Sequence, residues 1–195
     1  MPRTKTFDED QVLQAAMMLF WRNGYEATSI GALEREMKLV RTSIYNAYGD
    51  KRNLFRQALA RYFEIELSQF SDAIEQAETA RDALRGVFKE VIRLHFSPSH
   101  PGGCLMVLSL LESEQHDAET RRSLQSVVSH LKEAITTRLE RGVEEGELPA
   151  DCPCAIIGGQ ATAIVNGMIV IAKADISREE LEALIDASVS MLLPE

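Results

Sequence analysis

Between residues 8 and 62 the apolar residues recur at helical spacing, but turn-forming residues interrupt them at close intervals. Such a segment folds as a stack of short helices, not as one long helix or a sheet. Asp8 stands where an N-cap is wanted, with Gln11 as its reciprocal partner and Phe7 and Val12 as a hydrophobic staple. Ala16, Leu19 and Phe20 continue the stripe until Asn23-Gly24 ends it. A second helix starts at Thr28 or Ser29 and turns Ile30, Leu33 and Met37 inward. Lys38-Leu39-Val40 separates it from a third over about 42–48. Gly49-Asp50 breaks the third, and Asp50 caps a fourth from Lys51 that carries Leu54, Ala58, Leu59 and Tyr62 on one side.

Downstream the helices lengthen, over about 80–97, 103–115, 118–145, 152–173 and 177–193. Loops at Ser97-Pro98-Ser99-His100-Pro101-Gly102-Gly103 and Gly146-Glu147-Leu148-Pro149 punctuate them. Asp151 is the expected cap of the 152–173 helix, with Pro153 in its first turn. Ser177 and Glu180 spell a capping box for the last. No repeat, low-complexity tract or strand-like alternation is present. The expectation is an all-α chain of about nine helices, divided into a head over 1–50 and a helical body over 51–195.

The net charge of −9 argues at first against a nucleic-acid partner, but its distribution does not. Residues 1–61 hold ten Lys/Arg and seven Asp/Glu, whereas residues 62–195 hold eleven and twenty-three. That asymmetry suits a head that meets an anion. Three cysteines, Cys104, Cys152 and Cys154, make no disulfide framework, and with His116 and His130 they match no metal spacing, so no metal or cofactor is expected. No run approaches a membrane span and no apolar stretch follows the basic N-terminus, which reads as a cytoplasmic chain with no membrane partner. No nucleophile–base set or Gly-rich phosphate loop points to an enzyme.

Two short helices joined by about four residues, inside a four-helix segment, read as a helix-turn-helix. The second helix of such a pair enters the major groove. Arg41, Thr42, Ser43, Tyr45, Asn46 and Tyr48 give it the polar and aromatic outward set that base edges call for, with Ile44 as inward anchor. Thr28 and Ser29 at the preceding helix start join that set. Lys51 stands where an ammonium and a helix N-terminus share a phosphate. Trp21 reads as core or head–body packing. The run from Gly24-Tyr25-Glu26-Ala27-Thr28-Ser29-Ile30 to Ile44-Tyr45-Asn46-Ala47-Tyr48-Gly49-Asp50-Lys51-Arg52-Asn53-Leu54-Phe55 resembles the signature of TetR-family transcriptional regulators. The resemblance covers about residues 7–60. It implies a homodimer bound to double-stranded operator DNA through a three-helix head, with a C-terminal domain that binds a small-molecule inducer and the partner subunit.

The pattern departs from the family at three places. Lys38 stands where Gly is usual, at a position that needs φ > 0. Val40 replaces a capping Ser, which leaves the recognition helix either capped by Thr42 or frayed until DNA arrives. Ala47 fills a position often held by His. In the body, Phe88, Ile92, His95, Phe96, Cys104, Leu105, Met106, Ser109, Leu110 and Met168 are the candidate inducer pocket, set against the plainer reading of ordinary core. Cys104 begins a helix after two glycines. A thiol there is expected to have a depressed pKa, which opens an alternative reading as an electrophile or redox sensor. The near-apolar helix over 152–173 and the helix over 177–193 are the expected dimer surface, with Gly158, Gly159 and Ala163 permitting close approach. An enzyme and a helical adaptor without DNA binding are the competing classes.

Overall fold

A computed structural model describes residues 8–174 and 176–194, and every regular element among them is helical. The head contains α1 (Glu9–Asn23), α2 (Ile30–Met37) and α3 (Arg41–Tyr48). Asp8 caps α1 by accepting from the amides of Asp10 and Gln11, while Phe7 and the expected staple lie outside the described residues. Gly24 ends α1 at φ +82°, a conformation that a side chain would strain. Ser29 caps α2 through the Ala32 amide, and Asp50 caps α4 (Lys51–Tyr62) through the Asn53 amide.

The helical path of α4 does not stop at Tyr62, the last position of the apolar stripe in the sequence. It runs through one π-helical turn (Phe63–Leu67) into α5 (Ser68–Glu75), making a single rod from head to body. The π turn is anchored by the buried Glu66, whose carboxylate meets Arg93 at 2.8 Å and His100 at 3.2 Å. The body continues with α6 (Ala80–Phe96), α7 (Leu105–Leu111), a 3-10 turn (Ser113–Gln115), α8 (Ala118–Glu144), α9 (Cys154–Ala172) and α10 (Arg178–Leu192). Ten α-helical segments are thus described, or nine helices when the α4–α5 rod counts as one.

Three boundaries shift for local reasons. Helix α7 is shorter than the expected 103–115, because Gly102 and Gly103 both take positive φ and Cys104 is extended. Helix α9 starts at Cys154, with Pro153 and not Asp151 at its N-cap. Gly158 turns toward α8 of its own chain, where a Cβ would lie 2.3 Å from Thr136 Oγ1, so its close approach is intrachain. Contrary to the sequence expectation, α9 is by length and composition long and apolar enough to cross a membrane, with a mean hydropathy of 1.8 over its most apolar window. In this fold its Ala161, Val165 and Ile169 side pack inside the body. The opposite side leaves Ile156, Val170 and Ile171 exposed, beside Leu184 and Met191 of α10.

Candidate DNA interface and ligand cavity

Helix α3 divides cleanly by face. Ile44 and Tyr48 are buried, while Arg41, Thr42, Tyr45 and Asn46 are exposed and Ser43 is half-buried at the edge of the same surface. Of the two tyrosines, Tyr45 faces out and Tyr48 packs into the head. Arg41 lies over the Tyr45 ring at 5.5 Å and donates to its hydroxyl at 3.3 Å, so the two are held side by side. Thr28, expected at the DNA surface, is fully buried and donates to the Gly24 carbonyl at 2.7 Å. It closes the turn between α1 and α2 and faces no groove. Ser29 stays exposed as the α2 cap. Lys51 opens α4 with its ammonium 4.4 Å from the Tyr25 ring centroid and near the Glu26 carbonyl.

The departures at Lys38 and Val40 each have a structural answer. Lys38 is the one non-glycine residue among those described with positive φ, at +53°, as its turn position requires. Val40 makes no side-chain cap, and Thr42 does not replace it. The carboxylate of Glu34 on α2 accepts the Arg41 amide at 2.6 Å, so the recognition helix is capped from its supporting helix. Nothing in the local sequence of α3 announces a cap donated from seven residues upstream.

Head and body meet along a seam of polar contacts that runs from buried to exposed. Trp21, 1% exposed, donates its indole N–H to the Gly103 carbonyl at 3.2 Å and packs edge-on against Tyr62. At the end of α7, Glu112 accepts the amides of Tyr25 at 2.8 Å and Glu26 at 3.3 Å. A Cβ at Gly24 would lie 2.7 Å from that carboxylate, so the glycine serves this approach as well as its own backbone angle. His116 stacks on Phe55 with ring centroids 5.1 Å apart, and burial lowers its pKa.

Behind the seam lies a cavity of about 230 Å³. The π turn and α5 wall it with Phe63, Leu67, Ser68, Phe70 and Ser71. Cys104 and Met106 close the end toward the head, and α8 and α9 supply residues that include Val127, Leu131, Thr162, Val165 and Asn166. Of the expected pocket residues, Cys104 and Met106 therefore reach it. Phe88, Leu105, Ser109 and Met168 are buried in packing elsewhere, Leu110 is half-buried against the core, and His95 sits beside Gly102. Ile92 and Phe96 border an open surface groove with Arg85, Lys89 and Arg178. Cys104 is not the activated thiol its helix-start position suggested. It is buried, it accepts the Tyr62 hydroxyl at 3.1 Å, and desolvation pushes its pKa up. The helix-terminal amides and the Tyr62 bond act in the opposite sense and are outweighed.

A helix-turn-helix with a polar outer face, mounted on an all-helical body, defines a DNA-binding transcriptional regulator. Comparison with known proteins places this one within that class. Residues 12–58 match the model for bacterial regulatory proteins of the tetR family, and residues 80–188 match the tetracyclin repressor-like C-terminal domain. A cysteine mutant of the TetR family regulator CifR, solved in complex with 26 bp double-strand operator DNA, is 32% identical. Its match covers 98% of this chain and 100% of that one with a TM-score of 0.89. The HTH-type regulator YezE of Bacillus subtilis is 29% identical over 98% of this chain and all of its own length. The repressor ComR of Escherichia coli is 27% identical over 92% of this chain and 86% of its own. The chain belongs to the TetR family of bacterial transcriptional regulators.

Proposed function

We propose that the protein is a homodimeric repressor that holds operator DNA through α3 and releases it when a small molecule fills the cavity. The observation that carries this reading is the α4–α5 rod, which starts at Lys51 beside the recognition helix and becomes the cavity wall at its π turn. A ligand that favours one position of that wall also favours one position of the head, and only such differential affinity moves the equilibrium. Arg41, Thr42, Ser43, Tyr45 and Asn46 are the proposed base- and backbone-reading set, with Ser29 and Lys51 on phosphates. The exposed apolar side chains of α9 and α10 are the proposed dimer surface, which sets the spacing of the two recognition helices.

The test is a mobility shift against the protein's own upstream DNA over a range of salt. Binding that weakens with salt, with a slope reduced by about one in Lys51→Ala, is expected. Salt-independent binding, or none, would sink the DNA assignment, and a monomeric mass in light scattering would sink the dimer.

A further inference from the structure

The cavity's lining restricts the chemistry of what fills it. It contains no Lys, Arg, Asp or Glu, and its one histidine, His130, is solvent-exposed, so a charged group buried inside would have no enclosed counterion, and burying an unpaired charge is costly. Glu66, the buried acid of the adjoining turn, is already engaged by Arg93 and His100. Of the other polar residues of the lining, Thr162 donates to the Gly158 carbonyl at 2.8 Å, Ser68 bonds the Ile65 carbonyl, Cys104 accepts from Tyr62, and Ser71 and His130 are exposed to solvent. Asn166 differs. Its amide nitrogen donates to the Thr162 carbonyl at 2.9 Å, which fixes the side chain, while its Oδ1 is buried without a partner. A buried acceptor left unpaired is a standing cost that a donor relieves. A volume of about 230 Å³ lies below the ~300–1,000 Å³ of ordinary ligand pockets, so the occupant is small.

We infer that the cavity takes a small uncharged molecule with an apolar body and one hydrogen-bond donor, such as an aliphatic alcohol, whose donor meets Asn166 Oδ1. This inference rests on the proposed inducer cavity and names the class of its ligand. Phe63, Leu67, Met106 and Leu131 enclose the apolar body, and Asn166 sets its direction.

The experiment is calorimetric titration of the full-length protein with four probes of similar size: 1-heptanol, its isomer 1-methoxyhexane, heptanoate and heptylammonium. The alcohol is expected to bind about tenfold more tightly than the ether, which offers no donor. Both ions should bind more weakly than the alcohol by a further factor of about ten or more. In Asn166→Leu, which keeps size and loses the acceptor, alcohol and ether become equivalent while the ether retains its wild-type affinity. Equal binding of alcohol and ether by the wild type overturns the role of Asn166. Heptanoate or heptylammonium binding as tightly as the alcohol overturns the uncharged class, as does failure of all four to bind. Release of operator is read separately by mobility shift. Alcohol that binds without releasing DNA leaves the ligand class standing and removes the inducer role of the cavity.

Discussion

The proposed DNA-reading surface and the proposed ligand cavity are built on opposite principles. The surface is convex and made from one eight-residue helix, whose outward residues are polar where a core would want them apolar. The cavity is concave and assembled from four segments that lie far apart in the chain, using the same Phe, Leu, Val and Met that fill any core. A site of the first kind contradicts the packing pattern around it and is visible for that reason. A site of the second kind obeys the pattern and differs from core only by what fails to meet in the middle.

The sharpest way to break this comparison is to attack the joint between the two. Trp21→Ala removes a buried indole and its bond to Gly103, and should cost about 3–5 kcal/mol in chemical denaturation. A cost well under that would mean the head and body are not one cooperative unit. Next in size, Arg41→Ala should weaken operator binding by about 1–3 kcal/mol in a mobility shift, with a relaxed preference at one base pair. Unchanged affinity would remove α3 from the groove. Glu34→Ala takes away the cap lent to α3 and should lower stability by about 1 kcal/mol, measured by thermal melting. If the melt does not move, α3 needs no cap at all.

The smallest effect concerns pH. Burial lowers the His116 pKa below 6.5, so the unfolded chain takes up a proton first as the solution is acidified. The stability this group contributes is complete above about pH 6.5 and is lost as pH falls from there through the folded value. His116→Gln should flatten that part of the stability profile. An unaltered profile would place the acid sensitivity elsewhere.

Helix type and order are legible almost throughout, and so are four of the caps, because Asp8, Ser29, Asp50 and Ser177 each sit before a run of helical periodicity. The exposed face of α3 followed from its polarity, except Tyr48 on that helix and Thr28 before α2, whose hydroxyls are compatible with burial. The segment from Phe63 to Glu75 gives no signal of its own in the sequence. Its π turn carries no distinctive composition, and Phe63, Leu67 and Phe70 look like the continuation of any amphipathic helix. That stretch is a wall of the cavity. Asn166 carries no sequence signal, because one amide in a near-apolar helix resembles a tolerated polar residue, and only its environment shows an acceptor left over. Cys104 misled in the opposite way: its place at a helix start was visible, and its burial under Tyr62 was not.

The contact between Glu112 and the turn at Gly24 bears on how such regulators are recombined. A chimera cut at Gly49-Asp50 would move Gly24, Tyr25 and Glu26 with the head and leave Glu112 with the body. A foreign head with any side chain in place of Gly24 would push against that carboxylate, and a foreign body lacking an acid there would leave two amides unmatched. Exchange of reading heads between relatives thus requires both halves of this pair to travel together, however cleanly the two regions divide on paper.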